Sequence, residues 1–160
     1  MLYSKLEHNN FQKENQKSFK VNSTIQKQIK EFSKYKKKSH GIILSLNEKT
    51  QEFEIDFSFE TNEINEIKAL LKSNRPSYVC YNYEYKIDET DLFSRFELKK
   101  IFIHYSPIEC LKTVQQLYND NQSIIGNYIP FDVFWKVSET GILHNQSIRI
   151  LLQQKLKQNK

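Results

Sequence analysis

Arg75-Pro76-Ser77-Tyr78-Val79-Cys80-Tyr81-Asn82-Tyr83-Glu84-Tyr85 is the stretch on which the fold turns. Proline at 76 disfavours helix in the residue before it and so closes whatever helix precedes. The residues after it are aromatic and β-branched, with Tyr81, Tyr83 and Tyr85 at period two, the pattern of a strand with one packed face. Ile101-Phe102-Ile103-His104-Tyr105 is a second apolar run of strand type. The residues between, 86–100, are polar and charged, so the two strands form a hairpin whose end projects into solvent.

The pattern extends both ways from this hairpin. Downstream, Ser106, Pro107 and Glu109 have the spacing of a capping box with proline at the first helical position. The helix could also begin a few residues later. Its inner face is Cys110, Val114, Leu117, Tyr118, Asn121 and Ile125. Gly126 and Pro130 bracket a loop. Phe131, Val133, Trp135 and Val137 alternate as a last strand, which predicts a largely buried Trp135. Asn145 is placed to cap a final helix holding Ile148, Leu151, Leu152 and Leu156.

Upstream, Thr61 is placed to cap a helix that packs Ile64, Ile67, Leu70 and Leu71 inward until Pro76. Before it, Phe53, Ile55, Phe57 and Phe59 alternate with Glu52, Glu54, Asp56, Ser58 and Glu60, a strand with four apolar side chains on one face. It forms a hairpin with the apolar run Ile42, Ile43, Leu44 and Leu46. Ile25, Ile29, Phe32 and Tyr35 share one face of a first helix that ends ahead of Gly41. The predicted order is α-β-β-α-β-β-α-β-α. That is an α/β chain of the α+β kind, with a central mixed sheet of about five strands and helices on both faces.

The chain has 160 residues, enough for one domain with a real core. Residues 22–160 form that domain. Residues 1–21, rich in Lys, Asn, Gln and Glu, read as a mobile basic extension. Residues 1–40 hold 10 Lys and 3 Glu, while the rest holds 14 basic and 16 acidic groups, so positive charge is concentrated at one end. Such an end meets anionic lipid, nucleic acid or an acidic protein, or is simply solvated. Cys80 and Cys110 lie in apolar stretches and read as reduced thiols of a cytosolic protein. No apolar run approaches the roughly 20 residues of a membrane span.

Catalytic constellations are missing from the sequence. The 3 glycines are far apart, which excludes phosphate-cradling loops. His8, His40, His104 and His144 share no metal-ligand spacing, so no metal and no cofactor is expected. Cys110 near a helix start suggests an activated thiol, but its period points it inward, as a structural thiol. The Tyr81, Tyr83, Tyr85 stripe could stack bases, yet Glu84 and Asp88 accompany it where a nucleic-acid reader needs arginine. The expectation is a non-enzyme that does not bind nucleic acid.

Several of these segments resemble the actin-depolymerising-factor homology family, whose fold is gelsolin-like. Arg75 to Tyr85 is similar to the family's third strand after a Pro-Arg-aromatic step. Ile101 to Pro107 resembles the next strand with its closing Ser-Pro pair, and Tyr118 stands where the family carries a helix tyrosine. Within the family, glia maturation factor is most similar. Cys110, the Gln115-Gln116 pair and the basic run Lys34-Tyr35-Lys36-Lys37-Lys38 carry that resemblance. Cofilins have a basic pair on the long helix where this chain has Thr113 and Gln115. Asn119-Asp120-Asn121-Gln122-Ser123, the loop Ser138 to Asn145 and the extended hairpin end at Asp88 to Glu97 depart from the family pattern.

The resemblance implies a monomeric cytoplasmic protein of the actin cytoskeleton. It implies binding to actin or to the branch-nucleating actin-related-protein complex, with inhibition of nucleation and debranching in the latter case. Two surfaces are implied. The first joins the region before the first helix to the long third helix, through Ser23, Lys112, Thr113, Gln115, Gln116 and Asn119. The second joins the projecting hairpin to the last helix, through Arg95, Lys99, Lys100, Glu139 and Arg149. Lys36, Lys37 and Lys38 are candidates for anionic phospholipid. The alternatives are cofilin-like binding and severing of filaments, or an adaptor domain that has lost actin-type binding.

Overall fold

The structure is a computed structural model that describes residues 18–34, 39–88 and 90–158. Tyr35, Lys36, Lys37 and Lys38, and the side chain of Leu156, lie outside the described residues. The described elements run α1 (Ser23–Lys34), β1 (His40–Asn47), β2 (Glu52–Phe59), α2 (Ile64–Lys68), β3 (Ser77–Lys86), β4 (Phe96–Tyr105), α3 (Lys112–Asn121), β5 (Val133–Val137) and α4 (Asn145–Gln158). Short 3-10 turns at Ile125–Asn127 and Thr140–Ile142 flank β5. The expected order of helices and strands is the observed one.

The five strands form one sheet in the order β2-β1-β3-β4-β5. All neighbours are antiparallel except β4 and β5, which are parallel, so the sheet is mixed. Because side chains alternate along each strand, the sheet has two apolar faces. Leu44, Tyr78, Cys80 and Phe102 meet Ile29 and Phe32 of α1 and Tyr118 of α3. Ile43, Val79, Tyr81, Ile101 and Ile103 meet Ile64 and Ile67 of α2 and Ile148 and Leu152 of α4. A two-faced sheet without helices on both sides would leave one of these sets in water.

The second strand departs from the alternation expected of it. Ile43 pairs with Phe57 but Leu44 pairs with Ile55, which leaves Asp56 as the extra residue of a β-bulge. The bulge inverts the phase. Phe53 and Ile55 pack with the α1–α3 face, whereas Phe59 packs with the opposite face and Phe57 is exposed. Ser45 Oγ donates to the Asp56 carboxylate at 2.9 Å and holds the bulge.

Helix starts also differ. Thr61 makes a turn, its hydroxyl accepting the Glu63 N–H, and α2 begins after it at Ile64. It ends at Lys68, well before Pro76. Ser106 and Glu109 form no capping box: residues 106–111 are a loop, and α3 starts at Lys112. The ring of His144, rather than Asn145, accepts the Ser147 N–H at the start of α4. Trp135 lies in the expected strand but is half-buried. The ordered core reaches back before residue 22. Phe19 and Val21 are buried, and Lys20 bridges to Glu52 alongside β2.

Candidate functional site

The α3 face is built by hydrogen bonds that leave little freedom in its position. Tyr118 is the anchor. Its hydroxyl accepts the Leu46 N–H at 3.0 Å, beyond the point where β1 stops pairing with β3. Its carbonyl accepts the Tyr78 hydroxyl. Asn121, one turn on, accepts the Phe19 N–H at 3.1 Å and donates to Leu117 O at 2.8 Å. The segment entering α1 is thereby joined to α3.

Its individual residues play different parts. Lys112, Thr113 and Gln116 are exposed on α3. Gln116 donates to Asp120 at 2.7 Å across one turn. Gln115 turns inward, and its Nε2 donates to Pro107 O at 2.9 Å and Cys110 O at 3.2 Å. It braces the preceding loop and is not a free contact group. Asn119 accepts from Lys136 Nζ at 2.6 Å, joining α3 to β5. Lys112, Gln115, Asn119, Cys110 and Lys136 line one groove of about 600 Å³. Ser23 is exposed at the start of α1 and does not line it.

Two residues of this face escape the sequence reading. Ile108 is 66% exposed and Leu111 is 72% exposed, both in the loop that leads into α3. Large apolar side chains placed in water next to a groove are a feature of contact surfaces. Ile108 falls off the 110, 114, 117, 118, 121 series that packs inward, whereas Leu111, seven residues before Tyr118, would share the inward face of a continuous helix, so its period does not reveal its exposure.

Of the residues expected on the second surface, Arg149 joins α4 to the β3–β4 hairpin. Its guanidinium lies 5.0 Å from the centre of the Tyr85 ring and donates to Lys86 O at 2.9 Å. This ties α4 to the end of β3, so much of the side chain is used in scaffolding. Arg95 and Lys99 approach Glu97 at 4.0 Å and 3.4 Å. The backbone of Lys100 exchanges hydrogen bonds with Asp132 at the start of β5, both at 2.8 Å. Glu139 is exposed ahead of the turn into α4.

Burial pushes both thiols up, which keeps Cys80 and Cys110 protonated and poorly nucleophilic. Among the described residues there is no group of three or more His, Cys, Asp or Glu side chains that could hold a metal ion. No described helix is long and apolar enough to cross a membrane.

The family model described as cofilin/tropomyosin-type actin-binding protein matches residues 18–130. The chain belongs to this actin-binding family. Its fold agrees with solved members at low identity. Cofilin from Streptomyces griseoflavus superposes with a TM-score of 0.70 at 15% identity, over 87% of this chain and 98% of that one. Glia maturation factor from Caenorhabditis elegans gives 0.68 at 16%, over 81% and 92%. Coactosin from Entamoeba histolytica gives 0.71 at 12%, over 88% and 99%. No curated protein sequence matches significantly. The fold is therefore that of the actin-depolymerising-factor homology domain.

Proposed function

We propose that this family member regulates actin assembly by binding alone, and that it prefers the branch-nucleating actin-related-protein complex to actin itself, inhibiting nucleation and promoting debranching. The observation that supports this preference is the neutral middle of α3. Thr113 and Gln116 are exposed and uncharged, and Gln115 is engaged with the loop carbonyls. A cofilin-like partner surface calls for a basic pair there. Charge-assisted hydrogen bonds of that kind are worth about 1.5–3 kcal/mol each when desolvated. Two missing contacts weaken actin binding by about two or more factors of ten. The effect on the complex arises from binding one of its conformations better than the other, with no bond made or broken.

A second reading, cofilin-like binding to actin monomers and filaments, is favoured by exposed Lys112 beside Ile108 and Leu111. Lys36, Lys37 and Lys38 add a sequence-based reason to propose contact with anionic phospholipid, at about 1 kcal/mol per basic residue near such a surface. The two main readings separate in functional assays. Branch lifetime and nucleation by the purified complex, and severing of unbranched filaments, are measured with the same protein stock. Shorter-lived branches without severing support the proposal, and severing without an effect on branches supports the second reading.

A further inference from the structure

β2 is an edge strand, with only β1 beside it. Its outer side is engaged at one end alone. There the Lys20 N–H donates to Gln51 O at 3.0 Å and the Phe53 N–H donates to Lys20 O at 2.9 Å. The direction of the remaining backbone groups follows from the ladder. Leu46, the partner of Phe53, gives its N–H to the Tyr118 hydroxyl and not to β2. Positions alternate along an antiparallel pair, and the extra residue of the bulge lies on β2, so Ile42 also faces away from β2. Its partner Ser58 therefore points its N–H and C=O outward. Beyond Phe53, no backbone hydrogen bond among the described residues reaches this outer side. An open edge of this kind is a template for pairing with another chain.

Beside the open part lies a groove of about 420 Å³ between the second half of α1 and the end of β2. Phe32, Ile42 and Phe59 line it, and so do Glu31 and Glu60, both exposed. Its apolar lining is set in advance. The Phe59 ring lies against Gly41, and the Phe32 ring is 4.9 Å from that of His40. A surface ordered before binding loses less entropy when it is occupied.

Charge narrows the occupant. β2 carries Glu52, Glu54 and Asp56 and no basic residue, and Glu60 follows it. Neither Glu31 nor Glu60 has an ion-pair partner among the described residues. The exposed lysines of α1, Lys27, Lys30 and Lys34, do not line the groove. Two copies pairing through β2 would set its carboxylates against each other, and an anionic bilayer would be repelled. A segment rich in lysine or arginine is attracted, and the aliphatic stems of its side chains suit the apolar lining. Charged edges also guard a sheet against self-pairing, but a guard needs no apolar groove beside it.

We propose that β2 is a docking edge for an extended basic segment of a partner protein, which adds to the sheet as a further strand and seats a lysine or arginine side chain in the groove lined by Glu31 and Glu60. Main-chain hydrogen bonds to the edge supply affinity and the groove supplies side-chain preference. None of the residues expected on the two actin-type surfaces lines this groove, so the site goes beyond that activity.

The test uses the full chain and needs no actin. The probe is a short blocked peptide of alternating lysine and valine, titrated at low salt and followed by calorimetry. Wild type is expected to bind it, and not to bind the same peptide with glutamate in place of lysine. Glu31→Gln with Glu60→Gln is expected to weaken binding by about three- to tenfold, as the loss of two exposed ion pairs does. Ser58→Pro removes an outward N–H at a position where edge strands tolerate proline, and is expected to abolish binding with little change in melting midpoint. The lysine–valine peptide built from alternating D- and L-residues keeps its charge but cannot lie as a regular strand, and wild type is expected not to bind it. Wild type that ignores the all-L lysine–valine peptide overturns the docking edge. Equal binding of the all-L and D,L peptides overturns strand addition, and unchanged binding in the Glu31/Glu60 variant overturns the role of the groove. A concentration-dependent dimer of the wild type that Ser58→Pro dissolves, with peptide binding intact, overturns the docking edge in favour of self-pairing.

Discussion

Tyr78 and Tyr118 couple the central strand to α3. Their rings lie 5.1 Å apart and the Tyr78 hydroxyl donates to the Tyr118 carbonyl. Tyr118 then reaches Leu46 on β1 through its own hydroxyl. The face proposed to bind a partner is thus fixed to the sheet by buried hydrogen bonds, which is how a rigid fold presents a defined surface.

Removing the far end of this link exposes its worth. Tyr118→Phe leaves the ring in place but strands the Leu46 N–H in a buried site. The expected loss is about 1–3 kcal/mol, the cost of an unsatisfied buried donor. Urea unfolding followed by circular dichroism measures it. A midpoint equal to that of the wild type would show that water reaches Leu46 and that the link is dispensable.

Gly41 on β1 has no room for a side chain. A Cβ there would stand 2.3 Å from the Phe59 ring and 2.5 Å from the Cys80 carbonyl oxygen. The Phe59 ring could turn away, but the carbonyl belongs to the adjacent strand and cannot. Gly41→Ala is expected to destabilise the fold by about 1–3 kcal/mol, as overpacking does. Thermal unfolding of this single variant is the check.

Stability should depend on pH through His104. It is fully buried on β4, its Nδ1 is 2.8 Å from Gln122 Oε1, and its Nε2 has no hydrogen-bond partner among the described residues. Burial lowers its pKa below the ordinary 6.5, the Gln122 contact opposes this, and the charge of Lys136 adds to the lowering. The neighbouring Tyr78 ring is 5.2 Å away and brings no charge. The unfolded chain therefore binds the proton more readily than the folded one. The contribution is whole above pH 6.5 and is lost as pH falls from there toward the folded-state value. His104→Gln should make unfolding less sensitive to pH between about 6.5 and 5, a range set by the ordinary histidine pKa. An identical slope in wild type and variant would contradict this.

Trp135, the sole tryptophan, gives a milder test. It is half-buried, so Trp135→Ala should cost about 2 kcal/mol, less than the 3–5 kcal/mol of a fully buried ring. Its emission should lie between that of an enclosed and a solvated indole, and shift to the red on unfolding.

The elements themselves are legible in the sequence because apolar periodicity is strong wherever a sheet is buried on both faces. Tyr78 to Tyr85 and Ile101 to Tyr105 are such strands, and the helix faces of Ile25, Ile29 and Phe32 are equally clear. Asp56 is not legible as a bulge. The extra residue is defined by what it faces on β1, and a strand read alone shows uninterrupted alternation. The start of α3 lies later than its sequence suggests for a similar reason. Ser106-Pro107 favours a helix locally, but β5 takes the Ser106 N–H onto Val137 O and keeps it extended. In the candidate site, Lys112, Thr113 and Gln116 stand on the surface as their spacing indicates. The engagement of Gln115, Asn119 and Arg149 depends on partners outside their own helical turn, and sequence spacing carries no record of those. Ile108 and Leu111 are hidden when they are assigned to a helix that in fact starts after them.

The neutral middle of α3, at Thr113 to Gln116, is proposed to direct this protein to the branch-nucleating complex. The most direct measurement is a side-by-side titration of the full chain against actin monomers, actin filaments and the purified complex, in one buffer at one ionic strength. An affinity for the complex at least about a hundredfold above that for filaments is expected, the ratio that follows from two absent charged contacts. Equal or tighter binding to filaments would contradict it.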